Sequence, residues 1–283
     1  MLKIAVQKSE RISKPFLDLL AKCGLKTEGI QSKLYYKFSQ LPIELYFIRG
    51  SDIPALLKEN FDIAILGKDS FLEYKLAEFC EITKNLGFAK ARLSFAGKSG
   101  EFSKSAINGK RIATSYSNIL ENFLKENNIS AQIIEMQGSV ESSIKLEISD
   151  IILDIVQTGS TLLEHGLSEY FPIMELEAIM VQKLISNNTS ASETLNKLLF
   201  RINAVLNGKP CKYVMFNLKK SLIPKIITIL PSGKSPTILN LANEEYCAIH
   251  TLCNENELWE TCEVLQKSGA QDILISDIDL RFL

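Results

Sequence analysis

The chain has two histidines, His165 and His250, and a single tryptophan in 283 residues. Its six cysteines (Cys23, Cys80, Cys211, Cys247, Cys253, Cys262) contain no Cys-x-x-Cys pair. That spacing argues against a thiolate–imidazole metal cage and against a disulfide framework, and favours buried, reduced thiols. Neither histidine has a Cys or carboxylate partner at metal spacing, so both read as structural. No apolar run approaches the roughly 20 residues that a membrane helix needs. Neither charge predominates: 32 basic against 33 acidic residues give a net charge of −1. Nothing points to a nucleic-acid partner or an anionic membrane surface. The opening Lys3-Ile-Ala-Val-Gln7 reads as a first strand rather than the apolar core of a secretion signal, so a cytoplasmic location is expected. Low-complexity tracts and internal repeats are lacking too.

What the chain does have is concentrated between Asp150 and Gly166. Ile151 to Val156 is a short apolar run rich in β-branched residues, as in a strand covered on both faces. Gln157-Thr-Gly-Ser-Thr161 then breaks the pattern, a helix follows from about Leu162, and Gly166 can stop it. Strand, polar turn and helix start together offer unpaired N–H groups, hydroxyls and a positive helix end, which suits a phosphate. Taken alone, Thr158 to Thr161 reads better as an ordinary helix cap. Asp154, four residues before Thr158, changes the balance. A carboxylate beside a phosphate cradle repels the phosphate unless it holds something else, such as a sugar diol. Phosphate plus diol means a ribose phosphate.

Asp154-Ile-Val-Gln-Thr-Gly-Ser-Thr-Leu162, followed by Gly166-Leu167, resembles the phosphoribosyl-diphosphate loop of the ATP phosphoribosyltransferases of histidine biosynthesis. The resemblance extends in order through Ala5-Val-Gln-Lys-Ser9, Asp52-Ile-Pro54, Ala91-Arg-Leu93, Asn108 to Tyr116, Gly138-Ser-Val-Glu141 and Pro236-Thr-Ile-Leu239. There are departures. Glu10 and Ile12 stand where the family usually has Gly and Leu, Ser143-Ile144 replaces Ala-Pro, Glu147 replaces Gly, and Ala91 replaces Cys.

Between these motifs strand and helix alternate, which predicts a mostly parallel sheet with helical crossovers. Ser13 is expected to cap a first helix with Pro15 in its first turn. Strands follow at Ile43–Ile48 and Phe61–Leu66, with Asp52 capping a short helix between them. After a polar connector at Glu101–Ser105, a second alternation runs through strand Arg111–Thr114, helix Ser117–Glu126, strand Gln132–Met136 and a helix near Ser139–Leu146. Glu177–Val181 leads back to the first lobe. Ser190-x-x-Glu193 is a capping box for a long amphipathic helix. From Cys211 the order becomes β-α-β-β-α-β, the ferredoxin-like arrangement. The expected fold class is α/β: a two-lobed catalytic region, resembling a periplasmic binding protein by the family likeness, plus a C-terminal ferredoxin-like domain. Expected boundaries are 1–97 and 182–207 for lobe I, 98–181 for lobe II and 208–283 for the regulatory domain.

The resemblance implies condensation of ATP with 5-phosphoribosyl 1-diphosphate to N1-(5-phosphoribosyl)-ATP and diphosphate, with feedback inhibition by histidine. It assigns the phosphoribosyl site to Asp154, Thr158, Gly159, Ser160 and Thr161, with Glu141 and Asp154 as catalytic carboxylates on the ribose hydroxyls. Gln7, Lys8, Arg49 and Arg92 are expected to face ATP or diphosphate, and Thr237 and Leu239 to border a histidine site. Lys110 and Arg111 read as a solvated edge. Magnesium is expected on the substrate diphosphate, without a dedicated protein site. The family forms dimers and hexamers, so a homo-oligomer is expected. The departures keep one alternative open: a non-catalytic two-lobed binding or regulatory paralogue that holds a phosphorylated ligand.

Overall fold

The computed structural model describes residues 1–30, 34–98, 104–184, 189–230 and 236–283. It separates into two compact units, residues 1–21 with 25–195, and residues 22–24 with 196–283. The larger unit carries two lobes, each built on its own sheet.

The first lobe contains β1 (Leu2–Gln7), β2 (Tyr35–Lys37), β3 (Ile43–Ile48), β4 (Ile63–Gly67), β5 (Cys80–Asn85) and the late-returning β11 (Ala178–Lys183). They form a six-stranded sheet in the order β2-β3-β1-β4-β11-β5. Helices α1 (Glu10–Lys22), α2 (Ile53–Glu59) and α3 (Lys68–Glu73) connect them. The second lobe contains β6 (Ala91–Gly97), β7 (Arg111–Thr114), β8 (Gln132–Glu135), β9 (Ile151–Val156) and β10 (Ser168–Leu176), ordered β10-β6-β9-β7-β8. Its helices are α4 (Ser117–Glu126), α5 (Ser142–Lys145) and α6 (Ser160–Glu164).

Both sheets are mixed rather than mostly parallel. β1 pairs in parallel with β3 and β4, and β7 with β8 and β9. The remaining pairs, through β2, β5, β6, β10 and β11, are antiparallel. The central strands are apolar on both faces because helices cover both, and Ile63–Gly67 of β4 is buried throughout. The lobes are joined by two adjacent crossings. Leu86 N–H donates to Ala178 O at 3.0 Å and Ala178 N–H to Phe88 O at 2.9 Å, while Gly87 N–H reaches the Glu177 carboxylate at 3.0 Å.

Several boundaries differ from expectation. Lobe II starts at Ala91, not residue 98, because the apolar β6 pairs with β9 and β10. The return begins at Ala178, not residue 182, since β11 pairs with β4. Helix α1 starts at Glu10, three residues before the expected Ser13 cap, which places Pro15 inside the helix. Asp52 occupies the cap position of α2, yet its side chain accepts from the Ser51 hydroxyl instead of capping. The expected helix at Ser139–Leu146 shrinks to the single turn α5. Gly138 and Ser139 adopt positive φ (91° and 50°) before it, and Glu147 (φ 56°) ends it. That conformation is why Gly is usual at position 147 in the resembling family. The expected connector falls largely outside the described residues.

Helix α7 (Thr189–Gly208) starts one residue before the expected Ser190 cap, and from Asn196 on it belongs with the second unit. That unit continues through β12 (Cys211–Lys219), α8 (Ile223–Ile227), β13 (Thr237–Asn240), β14 (Tyr246–Asn254), α9 (Leu258–Lys267) and β15 (Gln271–Asp277). The sheet order is β13-β14-β12-β15 with every pair antiparallel, which is the ferredoxin-like topology. Val214, Phe216, Leu218, Cys247, Ile249 and Cys253 alternate onto one face and form its core. Cys23 and Cys80 are also buried, which pushes both thiols up to about 11. Cys211 and Cys262 are half-buried. Among the described residues no helix is long and apolar enough to cross a membrane.

Candidate active site

At the carboxyl end of β9 the chain leaves the sheet, turns through Gln157–Thr161 and enters α6, which is one helical turn long. Gly159 makes the turn with φ 83°, a conformation that a side chain would strain. Thr158 Oγ1 accepts from Ser160 N–H at 3.4 Å and shares a hydrogen bond with the Ser160 hydroxyl at 3.1 Å. Leu162 and Leu167 anchor the segment in the core beside Ala113, Val140 and Val156. The loop's hydroxyls are thus held in place while Thr158, Ser160 and Thr161 stay exposed. Ser160 N–H is taken by Thr158 Oγ1, and the next N–H groups of α6, those of Thr161 and Leu162, have no partner within the helix and are open to an acceptor. A helix this short adds little macrodipole, and the cradle rests on N–H and hydroxyl donors.

The loop forms one wall of a cavity of about 260 Å³, with Arg11, Glu141 and Asp154 completing it. Asp154 is half-buried. Its carboxylate accepts from its own neighbour's Ile155 N–H at 2.7 Å. Its pKa is raised from 3.8 to about 6, first by burial and then by the negative charges of Glu141 and Asp69. Glu141 follows the Gly138-Ser139 turn at the entry to α5 and is half-buried. Arg11, the second residue of α1, comes from the other lobe and lies 4.0 Å from Asp69. Burial raises the Asp69 carboxyl more strongly than Arg11 lowers it. Tyr116 has its hydroxyl pKa driven far up by burial and by the charges of Asp69 and Asp154, and stays neutral. Two acceptor carboxylates, a cation and a donor-rich loop within one cavity suit a molecule carrying both hydroxyls and phosphate.

The structure brings together Glu141, Asp154, Thr158, Gly159, Ser160 and Thr161. The four other expected contacts lie outside this cavity's lining. Gln7 uses its amide oxygen on Gly67 N–H at 3.1 Å, with its side chain packed against Gly50. Lys8 and Arg49 are exposed at the carboxyl ends of β1 and β3. Arg92 is engaged by both carboxylate oxygens of Glu169, which also accepts from Ser94 at 2.7 Å, and Arg92 Nη1 reaches Gln157 O at 3.4 Å. The guanidinium beside Glu169 holds that carboxyl below its usual range. Arg92 is thus tied to Glu169 and also reaches the loop backbone at Gln157.

Sequence reasoning missed Arg11. The available signal was a cation in the first turn of the helix that directly follows the Ala5–Ser9 motif. The departures are accommodated: Glu10 is exposed to solvent, and the Ser143 hydroxyl is buried but bonded to Val140 O and Ser149 Oγ, both at 2.6 Å. Ile144 is buried in the adjoining core. Thr237 and Leu239 lie exposed on the edge strand β13. His250 shares a hydrogen bond with the Tyr213 hydroxyl at 3.0 Å within the ferredoxin-like sheet. Among the described residues no group of three or more His, Cys, Asp or Glu side chains is placed to hold a metal ion.

The family model of ATP phosphoribosyltransferase (HisG) matches residues 49–204, and that of the HisG C-terminal domain matches residues 209–280. The ATP phosphoribosyltransferase of Bacteroides thetaiotaomicron is 41% identical over 283 residues, covering 99% of both chains. That of Cytophaga hutchinsonii is 37% identical, covering 99% of this chain and 98% of its own. Among solved structures, the ATP phosphoribosyl transferase (HisG:HisZ) complex from Thermotoga maritima superposes with a TM-score of 0.57 at 27% identity. That match covers 72% of this chain and 99% of the other. A histidine kinase sensor domain with similarity to periplasmic binding proteins matches at a TM-score of 0.50 and 9% identity, covering 72% of this chain and 89% of its own. It shows the two-lobed fold alone. The paired carboxylates, the hydroxyl-rich loop and full-length likeness to these enzymes agree: the chain belongs to the ATP phosphoribosyltransferase family of histidine biosynthesis.

Proposed function

We propose that the cavity at the end of β9 seats the phosphoribosyl group of 5-phosphoribosyl 1-diphosphate. The loop N–H groups with Thr158, Ser160 and Thr161 hold the 5-phosphate, and Asp154 and Glu141 accept from the ribose hydroxyls. The observation that carries this reading is the two-carboxylate, hydroxyl-rich cavity. In the reaction of this family the adenine ring nitrogen of ATP forms a bond to the anomeric carbon as the bond to diphosphate breaks. The residues here act by orientation and charge: the carboxylates favour developing positive charge on the sugar, and Arg11 faces the departing anion. Lys8 and Arg49, exposed at neighbouring strand ends of the first lobe, are assigned to the ATP phosphates. Magnesium enters with the diphosphate, whose charge it offsets. The oxygen-only acids of the cavity fit that hard ion as outer partners.

Regulation by histidine is assigned to the C-terminal domain, near Thr237 and Leu239. A homo-oligomer, dimer or hexamer, is part of the same reading. Exposed Leu239 and Leu274 on the ferredoxin-like sheet support it. A cytoplasmic location goes with these substrates. The test is turnover: ATP, 5-phosphoribosyl 1-diphosphate and magnesium are mixed with the protein while diphosphate and the altered adenine absorbance are followed. Stoichiometric appearance of both is expected. Tight binding of both substrates without either product favours the non-catalytic alternative.

A further inference from the structure

Helix α4 opens the second lobe's central crossover, yet its own cap residue, Tyr116, makes no side-chain capping bond. The cap comes from the other lobe. Glu73, the last residue of α3, accepts from Asn118 N–H at 3.0 Å and Ile119 N–H at 3.1 Å, and from the Ser117 hydroxyl and Asn118 amide at 3.3 Å. Glu73 is 7% exposed. No cation lies within ion-pair distance of it among the described residues, so the start of α4 is what balances its charge.

The residues just before α4 extend this contact to the cavity. Thr114 Oγ1 accepts from Tyr116 N–H at 3.0 Å and donates to Leu153 O at 2.7 Å, next to Asp154. Ser115 Oγ donates to Met136 O at 2.6 Å and accepts from Gly138 N–H at 3.3 Å, where the turn to Glu141 begins. One turn back on α3, buried Asp69 faces Arg11. Leu72 between them packs against the cores of both lobes. α3 thus touches the supports of both cavity walls: Arg11 on one side, Asp154 and Glu141 on the other.

We propose that Glu73 is a positioning residue that holds the carboxylates of the second lobe in register with Arg11 of the first. This rests on the reading of the cavity as the phosphoribosyl site. The transition state must meet both walls at once, and a misplacement of about 1 Å is worth roughly a hundred-fold in rate. The 5-phosphate cradle and both ribose carboxylates lie within the second lobe, so most ground-state contacts do not need that register. Arg11, by contrast, gains weight as the charge on the departing diphosphate grows in the transition state.

The test compares the full-length parent with Glu73→Gln, which keeps one acceptor oxygen, and Glu73→Ala, which keeps none. Arg111→Ala breaks the Asp150 ion pair away from the cavity and serves as the control for lost stability. Calorimetric Kd for magnesium 5-phosphoribosyl 1-diphosphate should stay within about three-fold. By the same misplacement argument, kcat per folded molecule should fall about ten- to hundred-fold, more for Ala than for Gln. Arg111→Ala should lose stability without that fall in kcat. If Glu73→Ala does not fold, Glu73→Gln alone carries the comparison. A kcat within three-fold of the parent, or a Kd loss as large as the kcat loss, overturns the proposal. A parent that neither binds magnesium 5-phosphoribosyl 1-diphosphate nor releases diphosphate overturns the cavity reading instead.

Discussion

Asp154→Asn separates function from stability at a single atom. In the folded chain the Asp154 carboxyl titrates near 6, against 3.8 as an ordinary carboxyl. Between those two values the folded state binds more protons than the unfolded state, so stability falls as pH rises through the interval. At about 1.4 kcal/mol per pKa unit, the ionised carboxylate costs the fold up to roughly 3 kcal/mol above pH 6, and nothing below about pH 4. Asparagine keeps an oxygen for Ile155 N–H and carries no charge. Its amide gives back roughly 1 kcal/mol if it finds no acceptor. Denaturant unfolding at pH 8 should therefore show the variant about 2 kcal/mol more stable than the parent, with the advantage gone by pH 4. The same variant should lose turnover at pH 8, because the ribose hydroxyls lose an anionic acceptor. In the parent, kcat/KM for 5-phosphoribosyl 1-diphosphate should rise with pH through about 6. If Asp154→Asn were destabilised equally at pH 4 and pH 8, the carboxylate would be a structural partner and the argument would fail.

Thr161→Ala removes one hydrogen bond to a charged phosphate, worth about 1.5–3 kcal/mol, so kcat/KM for 5-phosphoribosyl 1-diphosphate should drop roughly ten- to hundred-fold with ATP kinetics little changed. Steady-state kinetics with each substrate varied in turn is the check. Arg92→Ala should act mainly on stability and loop order, because Glu169 already neutralises the guanidinium; a hundred-fold loss at unchanged stability would put Arg92 on the substrate. Histidine titrated into the full-length protein should lower substrate affinity about 5- to 150-fold, with substrates weakening histidine binding by the same factor. A flat activity curve with no heat of binding would leave the C-terminal domain as an assembly element.

The sequence disclosed most where burial and chain geometry act together. Ile151–Val156 is a strand with the expected limits, as are Ile43–Ile48 and Arg111–Thr114, because each is apolar and central. The missed strands β2, β5 and β10 all lie at sheet edges, where one face meets solvent and charged residues break the pattern. Pro172 inside β10 removes a ladder donor and hides it further. The carboxylates and the loop were legible because one short stretch carries nearly all of them. Arg11 and Glu73 were not, since each acts across the lobes on partners distant in sequence. The ion pair that ties Arg92 to Glu169 was hidden for the same reason: Glu169 lies on a strand the pattern did not reveal.

The central claim is that one cavity holds both the phosphate and the ribose of the sugar substrate. Calorimetric titration of magnesium 5-phosphoribosyl 1-diphosphate into the parent, Thr161→Ala and Glu141→Gln tests it most directly. Both variants should bind about ten-fold or more weakly than the parent at pH 8, as expected for loss of a charge-assisted hydrogen bond. Parent-like affinity in both would place the sugar elsewhere and contradict the account.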